Sequence, residues 1–113
     1  MASQPMTVDS RRAGSVVRPP TQGTSPTTAR VNDTATSTML RPSNPSRISL
    51  TIINESSAVL YVLKGTGTAS ASNYTYKLIQ GDTLTIDDYT GQVNGVWATD
   101  PNDGAAQMTE VTP

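Results

Sequence analysis

Arg47-Ile48-Ser49-Leu50-Thr51-Ile52-Ile53-Asn54 is the stretch that decides the fold. Ile48, Leu50 and Ile52 alternate with Ser49 and Thr51, the period of two that turns one face of a strand to a core and the other to water. Downstream the pattern repeats. Asn54-Glu55-Ser56-Ser57 reads as a turn, and Ala58 to Lys64 as a second strand, with Leu60 and Val62 on one face and Val59, Tyr61 and Leu63 on the other. The two read together as a hairpin. Gly65 to Ser72 is a flexible loop by composition, and Asn73 to Ile79 a third strand carrying Tyr74, Tyr76 and Leu78. Gln80-Gly81-Asp82 turns into a fourth, Thr83 to Asp87. Gln92 to Thr99 is a fifth, broken by a bulge at Asn94-Gly95, and Ala105 to Val111 a sixth after the Asp100-Pro101-Asn102-Asp103-Gly104 turn. Leu50, Ile52, Leu60, Val62, Leu78, Leu84, Ile86 and Val96 are the expected core.

Upstream the chain changes character. Residues 1–46 hold no aromatic and six of the eight prolines, and they show neither helical nor strand periodicity. They are expected to form an extended, disordered arm ahead of a β domain at 47–113. The fold class expected is therefore all-β: a small antiparallel sandwich or barrel of about six or seven strands, preceded by a long extended N-terminal arm. A domain of this size buries only about 60% of its unfolded surface. With no cysteine to cross-link it, it is expected to gain support from self-association.

Charge divides along the same line. Six arginines against Asp9 and Asp33 give residues 1–47 a net charge of +4, while two lysines against seven acids give the remainder −5. Arginine pairs bidentately with carboxylates and tolerates interfaces. Arg11, Arg12, Arg18, Arg30 and Arg41, with the apolar pairs Val16-Val17 and Met39-Leu40, are the candidate partner-binding residues of the arm.

Catalysis lacks parts. With no histidine and no cysteine, Ser-His and Cys-His nucleophile pairs are excluded. Asp87 and Asp88, adjacent on an extended strand, point to opposite faces. The acids at 100–103 do not follow the spacing of a calcium loop, and Gly65-Thr66-Gly67 is followed by no helix that would cradle phosphate. No catalytic residue, cofactor or metal is expected. The acidic β part argues against nucleic acid, and no stretch approaches the roughly 20 apolar residues of a membrane span. The first residues lack the apolar core of a signal peptide, so the three Asn-x-Ser/Thr triplets are read as coincidence. Tyr61, Tyr74, Tyr76, Tyr89 and Trp97 are read as packing, with a sugar-stacking surface as the alternative.

Several short stretches carry a resemblance: Arg47-Ile48 with Leu50, Ile52 and Asn54; Leu60 to Gly65; Asn73-Tyr74-Thr75; Gly81-Asp82; Tyr89 to Val93; and Gly95-Val96-Trp97. Together they resemble small virion proteins of tailed bacteriophages, over about the last 60% of the chain. The Pro/Arg/Ser/Thr arm is similar to the arms with which capsid cement (decoration) proteins lace adjacent capsomers. The resemblance implies a virion structural protein on the capsid exterior, assembled in the host cytoplasm. Its partners are the major capsid protein and further copies of itself, as a trimer in preference to a dimer. A neck, tail or fibre component, and a carbohydrate-binding virion surface module, are the alternatives it leaves open.

Overall fold

In the structure, a computed structural model that describes residues 24–113, the Leu50/Ile52 alternation becomes strand β3 (Ser49–Asn54). Leu50 and Ile52 are fully buried, and Asn54 continues the same phase inward. The other five expected strands are present as β4 (Leu60–Lys64), β5 (Tyr76–Leu78), β6 (Thr83–Ile86), β7 (Val93–Trp97) and β8 (Ala105–Thr112). Two more precede them, β1 (Ser25–Asn32) and β2 (Thr38–Arg41). The arm expected over residues 1–46 is corrected accordingly: from Ser25 onward that stretch belongs to the β domain, and only residues 1–23 lie outside the described part.

The strands form two four-stranded antiparallel sheets, β1-β8-β3-β6 and β2-β7-β4-β5. Pairing β1 with β8, β2 with β7, β3 with β6 and β4 with β5 describes one long two-stranded ribbon, tipped by the β4–β5 loop and rolled so that its two faces stack. That is the strand order of a jelly roll. β4 and β5 are the one pair of sequence neighbours that bond to each other. The hairpin expected between β3 and β4 is not formed, because residues 55–59 carry the chain from one sheet to the other. The bulge expected in β7 falls instead on its partner. Met39 opposes Asn94 and Arg41 opposes Val93, so Leu40 is the extra residue.

The core lies between the sheets. Leu50, Ile52, Ile86, Ala106 and Met108 come from the first; Leu40, Leu60, Val62, Leu78, Val93 and Trp97 from the second. Each large side chain here contributes about 1.5–3 kcal/mol by leaving water. Of the expected core, Leu84 is only partly buried, and Val96 is buried on the outer face of its sheet instead of between the sheets.

Two polar clusters close the ends of the sandwich. At one end the amide of Asn54 uses its full bonding capacity. Nδ2 donates to the carbonyls of Ala58 and Leu78, both at 2.9 Å, and Oδ1 accepts from Ser56 N–H and from Trp97 Nε1 at 3.1 Å. At the other end Arg47, its side chain wholly buried, donates from Nε to Glu110 Oε2 at 2.6 Å, and to the carbonyls of Pro42 and Gly91. Arg41 pairs with the second oxygen of the same carboxylate. The β2 bulge makes this reach possible, since it turns Leu40 and Arg41 toward the interior together.

Candidate functional site

The second sheet carries a concave feature on its outer face. Outward-facing Tyr61 on β4 opposes outward-facing Val96 on β7. The β4–β5 loop folds back across them. It is expected from composition to be flexible, but Asn94 pins it by donating to the carbonyls of Gly65 and Gly67, both at 2.9 Å. Ala69 N–H donates to Ser37 Oγ at 3.0 Å, fastening the loop to the β1–β2 connection, and Ala69 itself is buried. Between loop and sheet lies a cleft of about 310 Å³, lined by Tyr61, Val96, Ala69, Ala71, Ala98 and Ala35, with Ser37, Thr68, Ser70 and Trp97 completing the wall. None of these side chains is charged. Beside it the half-exposed Tyr74 ring leans on Tyr61, with centroids 5.0 Å apart and a tilt of 48°.

The titratable groups are arranged for structure. Lys64 sits 5.6 Å from the Tyr76 and Tyr89 ring centroids and 3.5 Å from Asp88. Its ammonium is held above the ordinary lysine value, first by a hydrogen bond with Tyr76 and then by Asp88, against some desolvation. A raised lysine pKa is the reverse of what amine nucleophiles and bases require. Asp103 is pulled below the usual carboxylate range, mainly by hydrogen bonds from the Ser57 side chain and backbone. Burial works against the charge of Glu110, but the hydrogen bonds from Arg47 and Arg41 outweigh it and hold that carboxyl low as well. Asp33 accepts from Ser56 Oγ at 2.8 Å, and Ser56 Oγ lies 3.2 Å from Asp103 Oδ1. These groups tie the end of β1 to the β3–β4 and β7–β8 connections. Among the described residues no three of His, Cys, Asp and Glu converge to hold a metal ion, and no helix is long and apolar enough to cross a membrane.

The sequence-derived candidates separate. Arg30 projects from β1 on the outer face of the first sheet, where it pairs with Glu55 at 2.7 Å and Gln107 at 3.1 Å. Met39 is half-exposed on β2. Leu40 is a core residue, 3% exposed, so its expected role as a partner anchor is corrected. Arg41 is corrected likewise, its guanidinium being engaged by Glu110 inside the fold. Arg11, Arg12, Val16, Val17 and Arg18 lie outside the described residues. The cleft was missed in the sequence. Its signals were the small residues of Thr68-Ala69-Ser70-Ala71 and the double-sided apolar character of β4, both present but unassigned. Comparisons with known protein families, with curated proteins and with solved structures give no match.

Proposed function

We propose that this chain is a non-catalytic structural protein of a virion, a capsid cement (decoration) protein. It binds at junctions between capsomers, and its basic N-terminal segment spreads over the neighbouring subunits. The observation that carries the reading is the way that segment joins the sandwich. Residues 1–23 have three arginines against one aspartate, while residues 24–113 have five basic residues against eight acids. The junction is β1, an edge strand whose first four residues are exposed. The arginines at 30, 41 and 47 already meet carboxylates of their own fold. This leaves Arg11, Arg12 and Arg18 as the arginines assigned to an acidic partner surface. A rigid module plus a tethered cationic segment binds by linking weak contacts, which raises avidity without any one strong site. A jelly roll by itself serves many functions; it is the combination with the arm that supports this one.

The test uses expanded shells lacking the protein. The purified chain should occupy capsomer junctions at high copy number and raise the melting temperature of the shells. Occupancy by the full chain should fall as salt rises, because exposed ion pairs are screened beyond about 8 Å at physiological ionic strength; removal of residues 1–23 should lower occupancy at low salt and make less difference as salt rises. Occupancy confined to one vertex, or to the tail, would move the protein to a neck or tail role.

A further inference from the structure

We infer that the cleft over Tyr61 and Val96 is a binding site for a neutral sugar ring, with Tyr61 and Tyr74 placed against the ring's apolar C–H face. The inference goes beyond the virion reading and does not rest on it.

The five aromatics divide. Trp97 belongs to the core, and Tyr76 and Tyr89 pack against it. Tyr61 and Tyr74 do neither. Tyr61 stands on the outward face of β4, and Tyr74 leans on it from the side, 42% exposed and tilted by 48°. Packing of the sandwich therefore accounts for three of the aromatics and leaves two at the cleft. Such rings offer large, rigid, amphipathic contact area at small entropic cost.

The rest of the lining selects by chemistry. No charged side chain is present, so a phosphate, carboxylate or ammonium ligand would lose its hydration for nothing. A nucleic-acid strand is disfavoured further, because residues 24–113 have five basic residues against eight acids. A purely aliphatic ligand would cover the hydroxyls of Ser37, Thr68 and Ser70 without bonding them. Ser37 Oγ accepts from the Ala69 N–H, which leaves its own proton to donate, and Thr68 Oγ1 has no partner among the described residues. Aromatic rings beside alanine methyls, with hydroxyls at the edge, match a pyranose: apolar across its face, hydroxylated around its rim. The volume, about 310 Å³, is at the small end of ligand pockets, about 300–1,000 Å³, and suits a terminal sugar more than a long chain.

The site is also preformed. Asn94 holds the loop by the carbonyls of Gly65 and Gly67, and Ser37 holds it at Ala69, so a ligand need not order the roof as it binds.

The test titrates full-length ¹⁵N-labelled protein with the methyl glycosides of glucose, galactose, mannose and N-acetylglucosamine, and with N-acetylneuraminic acid as the charged control. At least one neutral sugar should shift the Ala69, Ala71 and Val96 amides, saturating in the millimolar range, while the charged sugar should not. Tyr74→Ala should weaken that response about tenfold or more. Ala98→Trp, at an exposed rim position, should abolish it by filling the cleft. Both positions are exposed, and unchanged amide signals elsewhere confirm that each variant is folded. No shift with any neutral sugar, shifts centred elsewhere, or an undiminished response in Ala98→Trp overturns the inference. A stronger response to N-acetylneuraminic acid overturns it too. If no sugar acts and Val16→Ser with Val17→Ser moves the same amides, the cleft belongs to the N-terminal segment instead. Shell occupancy is measured separately. Sugar binding without shell binding sinks the capsid reading alone; shell binding without sugar binding sinks this inference alone.

Discussion

Trp97 Nε1 donates to Asn54 Oδ1 across the sandwich interior, 3.1 Å apart and 43 residues distant in sequence, with both side chains at most 1% exposed. The bond joins β7 of one sheet to β3 of the other. It also fixes the indole, the bulkiest core group, against an amide that has no unused donor or acceptor.

Asn54→Ala should therefore be among the most damaging single changes. It strands the Trp97 N–H, the Ser56 N–H and the carbonyls of Ala58 and Leu78 in a dry site. Each unsatisfied group costs about 1–3 kcal/mol, so the total loss should reach about 3 kcal/mol or more. Urea unfolding followed by tryptophan fluorescence checks this; a midpoint within experimental error of wild type would contradict it.

Glu110→Ala should cost about 3–5 kcal/mol, because it leaves the buried Arg47 guanidinium without its counter-charge. Removing both charges with Arg47→Met and Glu110→Leu should cost less than the Glu110 change alone. A double-mutant cycle on unfolding free energy measures the coupling.

The same carboxyl predicts a pH response. Its folded pKa lies below its unfolded value, so its contribution is present above the ordinary carboxylate range, about pH 4.3, and is lost as the pH falls through the folded pKa. The wild type should lose stability on acidification more steeply than Glu110→Gln. Subtracting the two profiles removes the parallel slope from Asp103, which is also lowered.

Truncation should show where the domain begins. A chain starting at Thr24 should keep a cooperative melt. One starting at Arg41 loses β1, most of β2 and the core residue Leu40, exposing the edge of β8 along its length. It should aggregate or fail to melt cooperatively, as seen by circular dichroism and size exclusion.

Gly104 and Gly95 both sit where a side chain has no room. At Gly95 a methyl would lie 2.7 Å from Leu40 Cδ1, a side-chain end that can shift. At Gly104 it would meet the backbone of Glu55 and Ser56, which cannot. Gly95→Ala should cost about 1–3 kcal/mol by overpacking, and Gly104→Ala should cost more. Parallel thermal melts order the two.

The six strands from β3 to β8 were legible because their alternation is strong and glycine and proline punctuate it. β1 was not, because Ser25-Pro26-Thr27-Thr28-Ala29-Arg30-Val31-Asn32 lies at a sheet edge and turns only Ala29 and Val31 toward the core. A strand that buries so little looks like a linker, and Pro26 is tolerated there because edge strands permit it. Sheet membership was illegible for a different reason. Alternation reveals which face is buried but not which strand lies alongside, so β3 and β4 looked like a hairpin. Asn54 could have been found, since it stands in phase with Leu50 and Ile52 on the buried face. The Arg47–Glu110 pair could not, at 63 residues apart. The candidate site divides in the same way: Tyr61 was visible on the second apolar face of β4, but Val96 was expected in the core and instead faces outward, and the loop that roofs them is held by Asn94 and Ser37, contacts that no local pattern announces.

The rolled ribbon also sets an order in time. Its tip, β4 with β5, joins residues close in sequence, whereas its open end pairs Ser25 with Thr112. Non-local pairings carry the largest loop-closure entropy and slow folding. A ribosome delivers β1 before its partner β8, so the edge strand waits unpaired until β8 has emerged. Under the reading proposed above, anchoring of the arm is thereby delayed until the sandwich exists to anchor it.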